Sequence, residues 1–118
     1  MNKELIELQK GCNATCVVIK NEDIKELDLK ISIASSCEES ELLNIFKQKI
    51  NEKFNYFVIK EIEKLEIEKQ EKFYQIVKDR EFSGYKLPKD VIIVLTVENE
   101  ESLKNIVQEL YHLCVVAF

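Results

Sequence analysis

With 118 residues, 46% of them hydrophobic and 33% charged, the chain has the apolar content for one core and too much of it for a disordered segment. A net charge of −5, with Arg80 the single Arg among 17 basic residues, excludes the basic face of a general nucleic-acid binder and most bidentate phosphate reading. No apolar run approaches the ~20 residues of a membrane span and none near Met1 resembles a signal peptide, so a cytoplasmic protein without membrane contact is expected.

Met1–Gln9 reads as a weak amphipathic helix carrying Leu5, Ile6 and Leu8. Cys16–Ile19 is a short Val/Ile-rich run, the first expected strand. Lys20–Leu29 is too short for more than a turn or two of helix before a second strand at Lys30–Ala34. Ser36-Cys37-Glu38-Glu39 has capping-box spacing and predicts a helix over 38–54, with Leu42, Phe46, Ile50 and Phe54 four residues apart. Tyr56–Ile59 is the third strand. Residues 67–78 place Phe73, Ile76 and Val77 on one helical side. Val91–Val97 is the fourth strand. Asn99 then precedes Glu100 and Glu101, acids suited to the positive end of a helix over 101–111. Cys114–Phe118 is the last strand.

None of these runs alternates cleanly with period two, the mark of strands covered on both faces, as in a parallel sheet. Strands alternating with helices imply an α/β, three-layer domain around a mainly parallel five-stranded sheet. With two glycines and one proline there is no linker, and residues 1–118 are expected to form a single domain.

The four cysteines, Cys12, Cys16, Cys37 and Cys114, are read as reduced, buried or half-buried thiols, because nothing marks secretion. A zinc site would have to gather Cys12, Cys16, Cys37 and His112 or Cys114 from distant segments, without the tight paired spacing of structural sites. Thiol catalysis would need Cys37 or Cys114 beside His112, the only histidine, and packing explains that residue more simply. Glu22 and Asp23 resemble the paired acids of a receiver domain, but Lys60 stands where its phosphoacceptor Asp should be.

Tyr56–Leu65, Arg80–Pro88 and Val91–Thr96 together resemble the middle of an AAA+ ATPase of the MoxR or dynein-related type, a P-loop NTPase fold. The resemblance covers about residues 54–118. Tyr56–Glu61 is similar to the Walker B strand, Arg80–Pro88 to the hairpin before the sensor strand, and Val91–Thr96 to the sensor strand. Glu109–Phe118 is similar to the family's last helix end and strand. By this likeness the sheet order is 5-1-4-3-2. The remnant of the nucleotide site falls on Lys20, Asp23, Lys60, Glu61, Thr96, Glu98 and Asn99, at the carboxyl ends of the strands.

The departures fall on the chemistry. A phosphate loop needs glycines followed by Lys and Ser or Thr, and the chain has only Gly11 and Gly84. Glu22 and Asp23 would repel phosphate after the first strand. The magnesium-organising Asp is replaced by Lys60. Glu61 matches the water-activating Glu but has neither metal nor nucleotide beside it. The sensor Asn aligns with Glu98, one residue before Asn99, and the arginine-finger position aligns with Leu113. No lid domain is expected. The resemblance therefore implies a protein that is not an enzyme and has no cofactor: a degenerate AAA+-like module for protein interaction or scaffolding, self-associating or docked on an AAA+ partner. The alternative is an unconventional nucleotide-binding protein or very weak ATPase; a decayed piece of a larger protein is a third reading. At the strand ends, Lys60 paired with Glu98 or Asp23 would mark a remodelled pocket, and a plain salt-bridge patch would mark a vacated one.

Overall fold

The computed structural model describes residues 15–49 and 51–118. The expected helix at Met1–Gln9 and the thiol of Cys12 lie outside them. In chain order the elements are strand β1 (Cys16–Lys20), the 3-10 helix η1 (Asn21–Glu26), β2 (Lys30–Ala34) and helix α1 (Glu39–Gln48). Then come β3 (Tyr56–Lys60), η2 (Ile62–Lys64), α2 (Ile67–Asp79), the hairpin β4 (Glu81–Phe82) and β5 (Tyr85–Lys86), and β6 (Ile92–Val97). The chain finishes with η3 (Glu100–Asn105), α3 (Gln108–Tyr111) and β7 (Cys114–Val116).

Five strands form one sheet in the order β2-β3-β6-β1-β7, and all four neighbouring pairs are parallel. Consecutive side chains point to opposite faces, and β1, β3 and β6 are buried on both; β2, at one end of the order, fully buries only Ile33. Cys16, Val18, Phe57, Ile59, Ile93, Leu95 and Val97 enter the larger core, where Leu42 and Phe46 of α1, Phe73, Ile76 and Val77 of α2, and Leu110 of α3 pack on them. Val17, Ile19, Tyr56, Val58, Ile92 and Val94 face the other way, against Ile24 and Leu27 of the first crossover. This two-sided burial is why the strands read as unbroken apolar runs.

The first crossover is as short as its sequence suggests, with η1 its only helical turn. α1 is shorter than expected. It starts at Glu39 after Glu38, whose side chain makes no capping bond, so the capping box of Ser36 and Glu39 is not formed. It stops at Lys49, and Phe54 is buried from the extended approach to β3, where the Asn55 N–H donates to the Leu29 carbonyl. Period-four spacing carried Phe54 into the helix because a buried residue just past a helix end keeps the same spacing.

The larger correction concerns 101–111. Asn99 does cap a helix, accepting the Ser102 N–H at 3.1 Å, but that helix is the 3-10 turn η3. Ile106 and Val107 are extended before α3 begins. Gln70, only 1% exposed, holds this break: its Nε2 donates to the Leu65 and Asn105 carbonyls, and its Oε1 accepts the Val107 N–H at 2.8 Å. One amide thus joins the end of η2, the end of η3 and the start of α3.

After α2 the chain reverses at Arg80, in the left-handed region at φ 56°. The hairpin turn is Ser83-Gly84, both at positive φ, as a two-residue turn between twisted strands requires. The Arg80 guanidinium donates to the Pro88 and Val91 carbonyls and fastens the hairpin to the entry of β6. Burial pulls that guanidinium down from its usual range.

Candidate functional site at the strand ends

β1, β3 and β6 run parallel, so Asn21, Glu61 and Thr96 meet where they end. Glu61 leaves β3 in the left-handed region at φ 57°, a conformation a non-glycine residue holds only when its surroundings fix it. Here its N–H donates to Thr96 Oγ1 at 2.9 Å, and its carbonyl accepts from Ser35 Oγ at 3.0 Å. Thr96, fully buried, donates its own proton to Asn21 Oδ1 at 3.1 Å. Ser35 is buried too, and its N–H donates to the Lys60 carbonyl. A chain of hydrogen bonds therefore runs Asn21–Thr96–Glu61–Ser35 across the ends of four strands.

The charged groups lie outside that chain. Lys64 in η2 sits 3.4 Å from Glu61 and 3.7 Å from Glu98. The hydrogen bond that Lys64 donates to the Glu61 carboxylate, with the charges of Glu61 and Glu98, holds the Lys64 ammonium above its usual range. The group is solvated, and such pairs contribute little to stability. Glu63 is only 8% exposed; one carboxylate oxygen accepts the Glu98 N–H at 2.7 Å and the other has no hydrogen-bond partner.

The structure thus brings together Glu61, Thr96 and Glu98 of the expected residues and leaves the others apart. Lys60 ends β3 half-buried and does not pair with Glu98 or Asp23, so the pair that would mark a remodelled pocket is not formed; the cation beside Glu98 is Lys64. Lys20 places its ammonium 5.5 Å from the centre of the Phe118 ring, a cation–π contact away from the network. Asp23 lies in η1, and Asn99 is occupied as the cap of η3. Sequence reasoning gave Asn21 no role of its own and missed Glu63 and Lys64. The i,i+3 spacing of Glu61 and Lys64 was a usable signal; Glu63 carried none.

Of four cavities walled by described residues, none takes a wall from Lys20, Asp23, Lys60, Glu61, Thr96, Glu98 or Asn99. One of them, about 290 Å³, takes Ser35 of the hydrogen-bond chain as a wall and lies between Ser35–Glu39, Leu42 and the Lys69, Lys72 and Phe73 side of α2. There Lys72 is already paired with Glu39. Among the described residues no group of three or more His, Cys, Asp or Glu is placed to hold a metal ion. No helix among them is long and apolar enough to cross a membrane.

The cysteines depart from expectation. Cys16 and Cys114 lie opposite each other in the β1–β7 register, 4.7 Å apart at Cα, and are joined in a disulfide. That separation falls within the range a disulfide spans. Only the sheet order makes them neighbours, since 98 residues separate them in the chain. Cys37 is free, and burial, then the charge of Glu41, pushes its thiol up.

Compared with models of known protein families and with curated proteins, the chain matches none.

Proposed function

We propose that this chain is a non-catalytic AAA+-like α/β module that works through protein contacts, with a second copy of itself or with an AAA+ partner. The observation that carries the reading is the hydrogen-bond chain Asn21–Thr96–Glu61–Ser35. Polar groups at strand ends, where an α/β sheet places a ligand, are here spent on one another. Lys60 stands where a magnesium-binding acid is needed, and Lys20 faces Phe118. The likeness to the AAA+ core is supported by the sheet order, which reads 5-1-4-3-2 when the large sheet alone is numbered, and by the hairpin ahead of β6. Leu29 and Ile67, 55% and 65% exposed, supply apolar surface for a contact.

Sedimentation velocity tests this reading. The chain is expected to self-associate as its concentration rises through the micromolar range, or to co-sediment with a purified MoxR-type ATPase. A chain that stays monomeric throughout and co-sediments with none would remove the interaction role.

A further inference from the structure

The Cys16–Cys114 pair joins the middle of the sheet to its margin. Cys16 is fully buried on β1, which is paired on both sides, by β6 and β7. Cys114 opens β7, a three-residue strand whose residues are all half-buried and whose only strand partner among the described residues is β1. Apart from the disulfide, this end of the chain is held by the hydrogen bonds of the short ladder, extended by the Ala117 N–H to the Val18 carbonyl and by Thr15 and Cys16 N–H to the Leu113 carbonyl, by the packing of Val116 on one core and Val115 and Ala117 on the other, and by the Lys20–Phe118 contact.

The surroundings also admit the reduced pair. Cys16 Sγ lies 3.7 Å from the Leu113 carbonyl oxygen, and Cys114 Sγ lies 3.2 Å from that of Leu110. If reduced, Cys114 would have the Leu110 carbonyl as acceptor; the Leu113 carbonyl near Cys16 already accepts the Thr15 and Cys16 N–H groups, but a buried thiol is a weak donor that packs as a small hydrophobe.

We propose that Cys16 and Cys114 form a reversible redox latch that clamps β7 to β1 when oxidised and frees it to open when reduced. The oxidant is a small disulfide of the glutathione class. Cys114, the partly exposed thiol, reacts first: its thiolate attacks one sulfur of the small disulfide and expels one thiolate, leaving a mixed disulfide on Cys114. The Cys16 thiolate then attacks Cys114 Sγ and expels the second. The two protein thiols lose two protons and two electrons, and the small disulfide leaves as two thiols. Reduction runs the same steps backwards and begins at Cys114, because Cys16 is out of reach. Cys37, with its raised thiol and its place on the β2–α1 loop, is outside the exchange.

The test is hydrogen exchange and thiol alkylation of the full chain in glutathione buffers poised from reducing to oxidising. Cys16 and Cys114 are expected to lose alkylation together in the denatured, unreduced chain. Reduction should raise exchange at the amides of residues 114–117 roughly tenfold or more while the β3 and β6 amides keep their protection. A chain carrying Cys12→Ser and Cys37→Ser should keep the response, and Cys114→Ser should abolish it. Full alkylation of both cysteines in the oxidising buffer would overturn the proposal, as would β7 exchange that ignores the redox state. Loss of protection across the whole sheet on reduction would also overturn it, since the bond would then be a staple for the fold.

Discussion

Replacing Gln70 with Leu is expected to destabilise the fold by roughly 3–5 kcal/mol, since each buried group left unsatisfied costs about 1–3 kcal/mol. The side chain is 1% exposed and serves the Leu65 carbonyl, the Asn105 carbonyl and the Val107 N–H at once. All three belong to the ends of short helical turns, which have no other means of pairing those groups within the turn. Leu would fit the space and strand all three. Urea unfolding of Gln70→Leu beside Glu71→Ala measures the effect. The second change, on the exposed side of α2, should stay within about 0.5 kcal/mol of the parent. A loss below about 1 kcal/mol for Gln70→Leu would mean that water or a shift of η3 satisfies these groups, and that the break at residues 106–107 is not held by Gln70.

The second large effect is a loss of stability in strong base centred on Tyr56. Its ring is 1% exposed on β3, its hydroxyl has no hydrogen-bond partner, and burial, with the charge of Asp28 adding to it, pushes the phenol up to about 12. The folded state keeps the phenol neutral, whereas in the unfolded chain it ionises near its ordinary value of 10.0. Unfolding therefore releases a proton between those two values, and stability falls as pH rises through that window. The contribution is complete below pH 10 and gone above the folded value; two units correspond to about 2–3 kcal/mol. Tyr56→Phe should flatten this decline. At neutral pH it should be as stable as the parent or more so, because it removes a buried hydroxyl that has no partner. Unfolding free energies of both proteins across the alkaline range decide the matter. Parallel curves would show that Tyr56 is not the group responsible.

How much of this was legible in the sequence depends on whether a feature is local. The strands were, because burial on both faces leaves Val17-Val18-Ile19 and Ile92-Ile93-Val94-Leu95 as runs that need no partner to be recognised. α2 was also legible, with Phe73, Ile76 and Val77 on one side. The break at Ile106 and Val107 was not, because Leu103, Ile106, Val107 and Leu110 keep helical spacing while a side chain 37 positions away takes the Val107 N–H. The disulfide was hidden for the same reason. Cys16 and Cys114 become neighbours only once β7 lies beside β1, and neither cysteine belongs to a paired motif.

At the strand ends the likeness singled out a different cation from the one that is paired. Lys60 stood out because it replaces an expected acid, yet it is Lys64, one 3-10 turn further on, that meets Glu61 and Glu98. Thr96 was named as a site remnant. Its bond to Asn21 spans 75 residues and its bond from Glu61 spans 35, which places its partners beyond any local reading. These are long-range pairings between polar residues, and polar residues carry no periodicity to betray their partners.

The account rests on those strand-end groups being engaged with one another and not with a nucleotide. Thermal unfolding with and without millimolar ATP and magnesium tests this most directly. A ligand that binds only the folded state, present at a hundredfold excess over its dissociation constant, adds about 2.7 kcal/mol and moves the midpoint by several degrees. The predicted result is an unmoved midpoint. A rise in the midpoint that disappears when magnesium is withheld would contradict the account, because Lys60 and the Thr96 network would then have to open to admit the metal-bound nucleotide.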